Sequence, residues 1–136
     1  MKSKNFLPAA IAGGVVHFLL GWLIYGMLLS DYMKSPVTGV DRTEMLIWSL
    51  AVGSFLISYI LISLANVTSV GSGAMTGFLI GLLFAGSIDF IMYGTSNVVS
   101  NLTVLCIDVA TVAVITAIVG AVVAAIGGMG KKTVSV

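Results

Sequence analysis

Long runs of apolar residues alternate with short polar breaks along this chain, and each run is about the length of a bilayer crossing. Four runs stand out: Phe6 to Leu29, Met45 to Leu64, Ala74 to Tyr93 and Leu102 to Gly127. A spanning helix needs roughly 20 such residues. Backbone polar groups in hydrocarbon must be satisfied within the segment, and these runs are too long and unbroken for barrel strands. The pattern predicts an all-α fold, with residues 1–136 forming a single polytopic domain, an integral membrane four-helix bundle. Ala65 to Gly73 and Gly94 to Ser100 are short and rich in Gly, Ser, Asn and Thr. Consecutive helices are therefore expected to be antiparallel neighbours. Ser30 to Glu44, which carries Asp31, Lys34, Pro36, Gly39, Asp41, Arg42 and Glu44, is predicted to be a water-exposed loop. Pro8 fits a first helical turn, where its missing donor costs nothing.

Within the runs, small and polar residues recur at every fourth position. The first carries Ala9, Gly13, His17, Gly21 and Tyr25, and the third carries Gly77, Gly81, Ala85, Asp89 and Tyr93. The fourth carries Asp108, Val112, Thr116, Gly120, Ala124 and Gly128. Spacing of i, i+4 puts each set on one side of its helix. Small residues there let helices approach closely, so the stripes are expected to face protein and to turn His17, Asp89 and Asp108 inward. The stripes of the first and third runs also align through Tyr25-Gly26 and Tyr93-Gly94. That agreement is compatible with a parallel repeat of two helical hairpins, or with packing logic common to any membrane helix. A second small stripe in the fourth run, Ala113, Ala117, Ala121 and Ala125, predicts contact with a second neighbour or another subunit. Gly13, Gly21, Gly77, Gly81 and Gly120 are the candidate packing glycines.

Composition agrees with a lipid environment. The chain is 59% hydrophobic and 8% charged, with a mean hydropathy of +1.17. Its net charge of +1 provides no basic face for nucleic acid. The lipid bilayer is the expected partner, together with further copies of the chain or another membrane protein. Lys2, Lys4, Lys131 and Lys132 fall on one side of the four-span plan, and Lys34 and Arg42 on the other, which predicts both termini in the cytoplasm. The Met1-Lys2-Ser3-Lys4 start imitates a secretory signal, but the following run is too long and no small-x-small pattern follows Leu29. A retained first span is expected. Asn66-Val67-Thr68 and Asn101-Leu102-Thr103 match the glycosylation sequon, with nothing else to suggest a eukaryotic secretory route. Ser49, Gly53, Ser54, Ser58 and Ser63 are read as packing positions, and Trp48, Tyr32, Tyr25 and Tyr93 as an aromatic belt. The lone Cys106 is read as a buried, inert thiol.

Asp89 and Asp108 carry the candidate chemistry, because an acid in hydrocarbon must find a partner, take up a proton or face water. At 1.5 Å per residue they lie roughly 6 and 9 Å below the outer ends of their helices, with His17 deeper at roughly 18 Å. Two inward carboxylates at like depth cannot both ionise without cost and would share a proton. The functional reading is a proton-, ion- or small-solute pathway lined by Asp89, Asp108, Tyr25, Tyr93 and Thr116, with His17 at its floor. The structural alternative has the acids setting helix register through hydrogen bonds, in a non-catalytic accessory subunit. Haem on His17 would need a symmetric dimer, and a His17, Asp89, Asp108 metal site is opposed by the difference in depth. No cofactor or metal is expected. No nucleophile–base pair, CxxC, phosphate loop or HExxH is present, so no enzyme is expected.

Phe18-Leu19-Leu20-Gly21-Trp22-Leu23-Ile24-Tyr25-Gly26, followed by Asp31-Tyr32-Met33, resembles the start of a family of small four-helix bacterial membrane proteins catalogued as a domain of unknown function. Tyr93-Gly94-Thr95 and Asp108 are similar to a second family of like layout. The resemblance implies a bacterial inner-membrane location and brings no activity or site residue with it.

Overall fold

A computed structural model describes residues 5–31, 52, 53, 56, 60, 67, 69–95 and 98–128. Among these residues the chain forms three helices. The first, α1, spans Phe6–Leu23 and continues through a π-helical turn over Ile24–Leu28; α2 spans Val70–Thr95, and α3 spans Leu102–Gly128. All three are long and apolar enough to cross a membrane, and we read the chain as a membrane protein. The expected four-helix bundle is thus corrected to three helices among the described residues, and the repeat of two hairpins falls with it. The segment expected over Met45 to Leu64 lies outside the described residues, save for Val52, Gly53, Leu56 and Ile60. Tyr32, Trp48, Ser49, Ser54, Ser58 and Ser63 also lie outside them.

Local chemistry explains where the helices begin. Pro8 stands in the first turn of α1, where no backbone donor is needed. At the head of α2, Ser69 Oγ accepts from the Ser72 backbone N–H at 3.2 Å, and the Ser72 hydroxyl donates to the Ser69 carbonyl at 3.0 Å. Asn101 caps α3 by accepting from the Val104 N–H at 3.0 Å. The Ser cap starts α2 at Val70, four residues before the expected Ala74; glycines that read as loop belong to the helix. α3 is rich in Val, Ile and Thr, which are middling helix formers in water. In hydrocarbon the obligation to satisfy every backbone group locally outweighs that preference.

α3 is the central helix, packed on both α1 and α2, which barely touch each other. It uses two faces. Toward α1 it presents Ile115, Val119 and Val123, which close around Ala9 with Val16, Leu20 and Ile24 against them. Toward α2 it presents Ala113, Thr116, Gly120 and Ala124. The expected alanine stripe is only partly right: Ala113 is fully buried, while Ala117, Ala121 and Ala125 are half-buried. β-branched residues form the α1 face instead. Asn5 Nδ2 donates to the Ile126 carbonyl at 3.2 Å, so the start of α1 meets the end of α3. The two run antiparallel.

Backbone approaches backbone between α2 and α3. A Cβ on Gly73 would collide with the Gly120 carbonyl, one on Gly77 with the Thr116 carbonyl, and one on Gly81 with the Thr116 hydroxyl. A Cβ on Gly120 would in turn strike the Gly73 carbonyl. Outside these seams lie Leu7, Ile11, Phe18, Trp22, Leu83, Phe84, Phe90 and Ile118, large apolar side chains all more than a third exposed. An outer surface of this kind suits lipid rather than water. Cys106 is exposed on it, contrary to its expected burial.

The seam gives a direct prediction. Gly77→Leu should destabilise the fold by roughly 1–3 kcal/mol, as overpacked sites do. Gly21 has nothing within 4 Å of an added Cβ among the described residues, so Gly21→Ala should stay within about 0.5 kcal/mol of the parent. Unfolding in detergent, followed by circular dichroism, measures both.

Candidate functional site

Following the α2–α3 seam toward the short connection between the helices leads to the two acids. Gly73 faces Ala124, Gly77 faces Gly120 and Gly81 faces Thr116. Each step of four residues along α2 is matched by a step of four back along α3, as an antiparallel pair requires. Two further steps in this register bring Asp89 opposite Asp108. The Asp89 carboxyl indeed lies within side-chain hydrogen-bonding reach of Asp108. Asp89 is 8% exposed, and with Ala85 it continues the buried stripe of α2.

A third group arrives from α1. The Tyr25 hydroxyl donates to Asp108 Oδ1 at 2.6 Å. Tyr25 stands in the π-helical turn, closed by the Leu29 N–H donating to the Ile24 carbonyl at 2.7 Å. π-turns widen a helix by one residue and often mark functional sites. Here the turn carries the phenol that meets the acid of α3. One carboxylate therefore receives a phenolic proton, while Asp89 Oδ2 is buried with no hydrogen-bond partner among the described residues. The proximity of the acids and the unpartnered oxygen are compatible. Ionised carboxylates are acceptors only, so two in contact form no hydrogen bond until one gains a proton.

The other candidate residues do not join this cluster. Thr116 is buried, but its hydroxyl donates within its own helix, to the Val112 carbonyl at 2.7 Å and the Ala113 carbonyl at 3.1 Å. It lies two turns deeper than Asp108 and acts as a packing residue against Gly81. Tyr93 is 44% exposed and sits on the outer surface. His17 is half-buried, two turns from Tyr25 along α1, or roughly 12 Å by helical rise. Among the described residues no three His, Cys, Asp or Glu side chains gather where a metal could be held. Gly13 is buried in α1, whereas Gly21 makes no close approach among the described residues.

Two participants were missed in the sequence. Gly73 extends the α2 stripe by one turn and would have been found by stepping back four residues from Gly77 past the expected helix start. The π-turn left no signal in the apolar pattern. In comparisons with known proteins, no family model, curated protein or solved structure matches the chain.

The Tyr25 bond predicts a stability difference. Tyr25→Phe keeps the ring and removes the hydroxyl, which should cost ~1 kcal/mol, the usual net contribution of such a hydrogen bond. Thr116→Val, which removes bonds within one helical turn, should cost less. Paired denaturation curves in the same detergent check the order.

Proposed function

We propose that this chain is a non-enzymatic protein of the bacterial inner membrane in which Asp89, Asp108 and Tyr25 form a proton- or small-ion station on a pathway opening to one face. The observation that supports it is the buried, unpartnered Asp89 Oδ2 facing a second carboxyl group. Intramembrane acids are costly, and an acid left without a donor is a binding site for something positive. The close glycine contacts shut the seam deeper down, so the station lies near one end of the bundle and the route continues along another face. We place the opposite end, where Asn5 meets Ile126, in the cytoplasm, following Lys2, Lys4, Lys131 and Lys132. The location also follows the family resemblance of the Phe18 to Gly26 stretch. Assembly into an oligomer is part of the proposal, since the described helices expose many large apolar side chains.

One observation favours a second reading, an accessory subunit in which the acids only fix register. The Tyr25 bond to Asp108 already ties α1 to α3, as such a role requires. Flux separates the two readings. In reconstituted vesicles under a pH gradient, the wild-type chain should carry pH-dependent flux, and Asp89→Asn with Asp108→Asn should reduce it to that of empty vesicles while helicity is kept. Flux unchanged in the double variant, or none in the wild type, would leave the register reading standing.

A further inference from the structure

We infer that the ligand of this site is a single proton, carried on Asp89 and donated to Asp108, so that one line of hydrogen bonds runs from α2 through α3 to α1. This rests on reading the acids as a site and names what occupies it. Three observations select the proton. Asp89 is more than nine-tenths buried, and its Oδ2 lacks a partner beside the Asp108 carboxyl. A proton taken from water makes that contact an O–H···O bond and halves the charge of the pair, with no co-reactant needed. Asp108 Oδ1 is already engaged as the acceptor of the Tyr25 hydroxyl. The proton therefore belongs on Asp89, which has no such donor.

The donor set is poor for a metal. Two carboxyl groups and a phenol engaged as a donor fall well short of the six to eight oxygens calcium takes or the octahedral shell of magnesium. Among the described residues, the groups that titrate or carry charge around Asp89 are few. Asp108 faces it from α3 and Tyr25 stands behind Asp108 on α1, while Tyr93 and Cys106 point outward. No cation among the described residues compensates the pair.

The carbonyl stretch of a protonated carboxyl group in the infrared reads occupancy directly. At neutral pH the detergent-solubilised chain should show one such band, moved by D2O, absent from Asp89→Asn, and indifferent to sodium, potassium, calcium or magnesium at fixed pH. The asparagine amide can donate to Asp108 as the protonated acid would, so this variant should stay folded. Asp89→Glu, which keeps the acid, should retain the band at a shifted frequency. A wild-type spectrum without a band that Asp89→Asn removes would overturn the inference, as would a band displaced by any of those cations. The vesicle assay fails separately. A band present without flux supports the proton and overturns transport, whereas flux without the band overturns the proton and leaves an ion pathway.

Discussion

The approach of α2 to α3 along Gly73, Gly77, Gly81 and Gly120 is the constraint on which the rest depends. Between membrane helices the surrounding lipid is as apolar as the side chains, so association relies on packing contact and polar bonds. Removing side chains from one stripe on each helix lets the backbones meet. The meeting admits one register, because each glycine must sit against the atom it faces. A slip of one residue would bring Cβ atoms into carbonyl groups.

Register is what turns two isolated acids into a pair. Asp89 and Asp108 end the matched stripes, at the end of the seam where the α2–α3 connection begins, and neither can avoid the other while the glycines are seated. α1 adds a third element through different chemistry. Its apolar face packs on the β-branched face of α3, Asn5 pins one end to Ile126, and the π-turn brings Tyr25 to Asp108 at the other. α3 thus mediates between its two neighbours, and Asp108 lies where their influences meet.

Much of this was legible in the sequence, for identifiable reasons. Apolar length gave three of the described helices nearly to their ends, since the backbone's need for internal hydrogen bonds in lipid leaves few alternatives. Fourfold spacing put Gly77, Gly81, Ala85 and Asp89 on one face, and these residues are buried together. The antiparallel pairing of α2 with α3 followed from the short connection between them, but the residue-by-residue register did not, because stripes of small residues look alike. Gly73 was hidden by a composition that reads as a turn. Thr116 and Tyr93 shared the right stripes but not the cluster: a threonine in a helix can spend its hydroxyl on its own carbonyls, and the position of Tyr93 near a helix end turns it to the surface. His17 shared a stripe with Tyr25 at a different depth. Four-residue spacing fixes a face, and depth along that face decides which groups meet.

The central claim is that Asp89 and Asp108 are energetically one unit, and a double-mutant cycle measures that directly. Stabilities in detergent are compared for the parent, Asp89→Ala, Asp108→Ala and the double variant. The structure predicts that the two substitutions are non-additive by more than about 0.5 kcal/mol, the range for residues in contact. Additive effects, within the ~0.3–0.5 kcal/mol typical of independent sites, would contradict it.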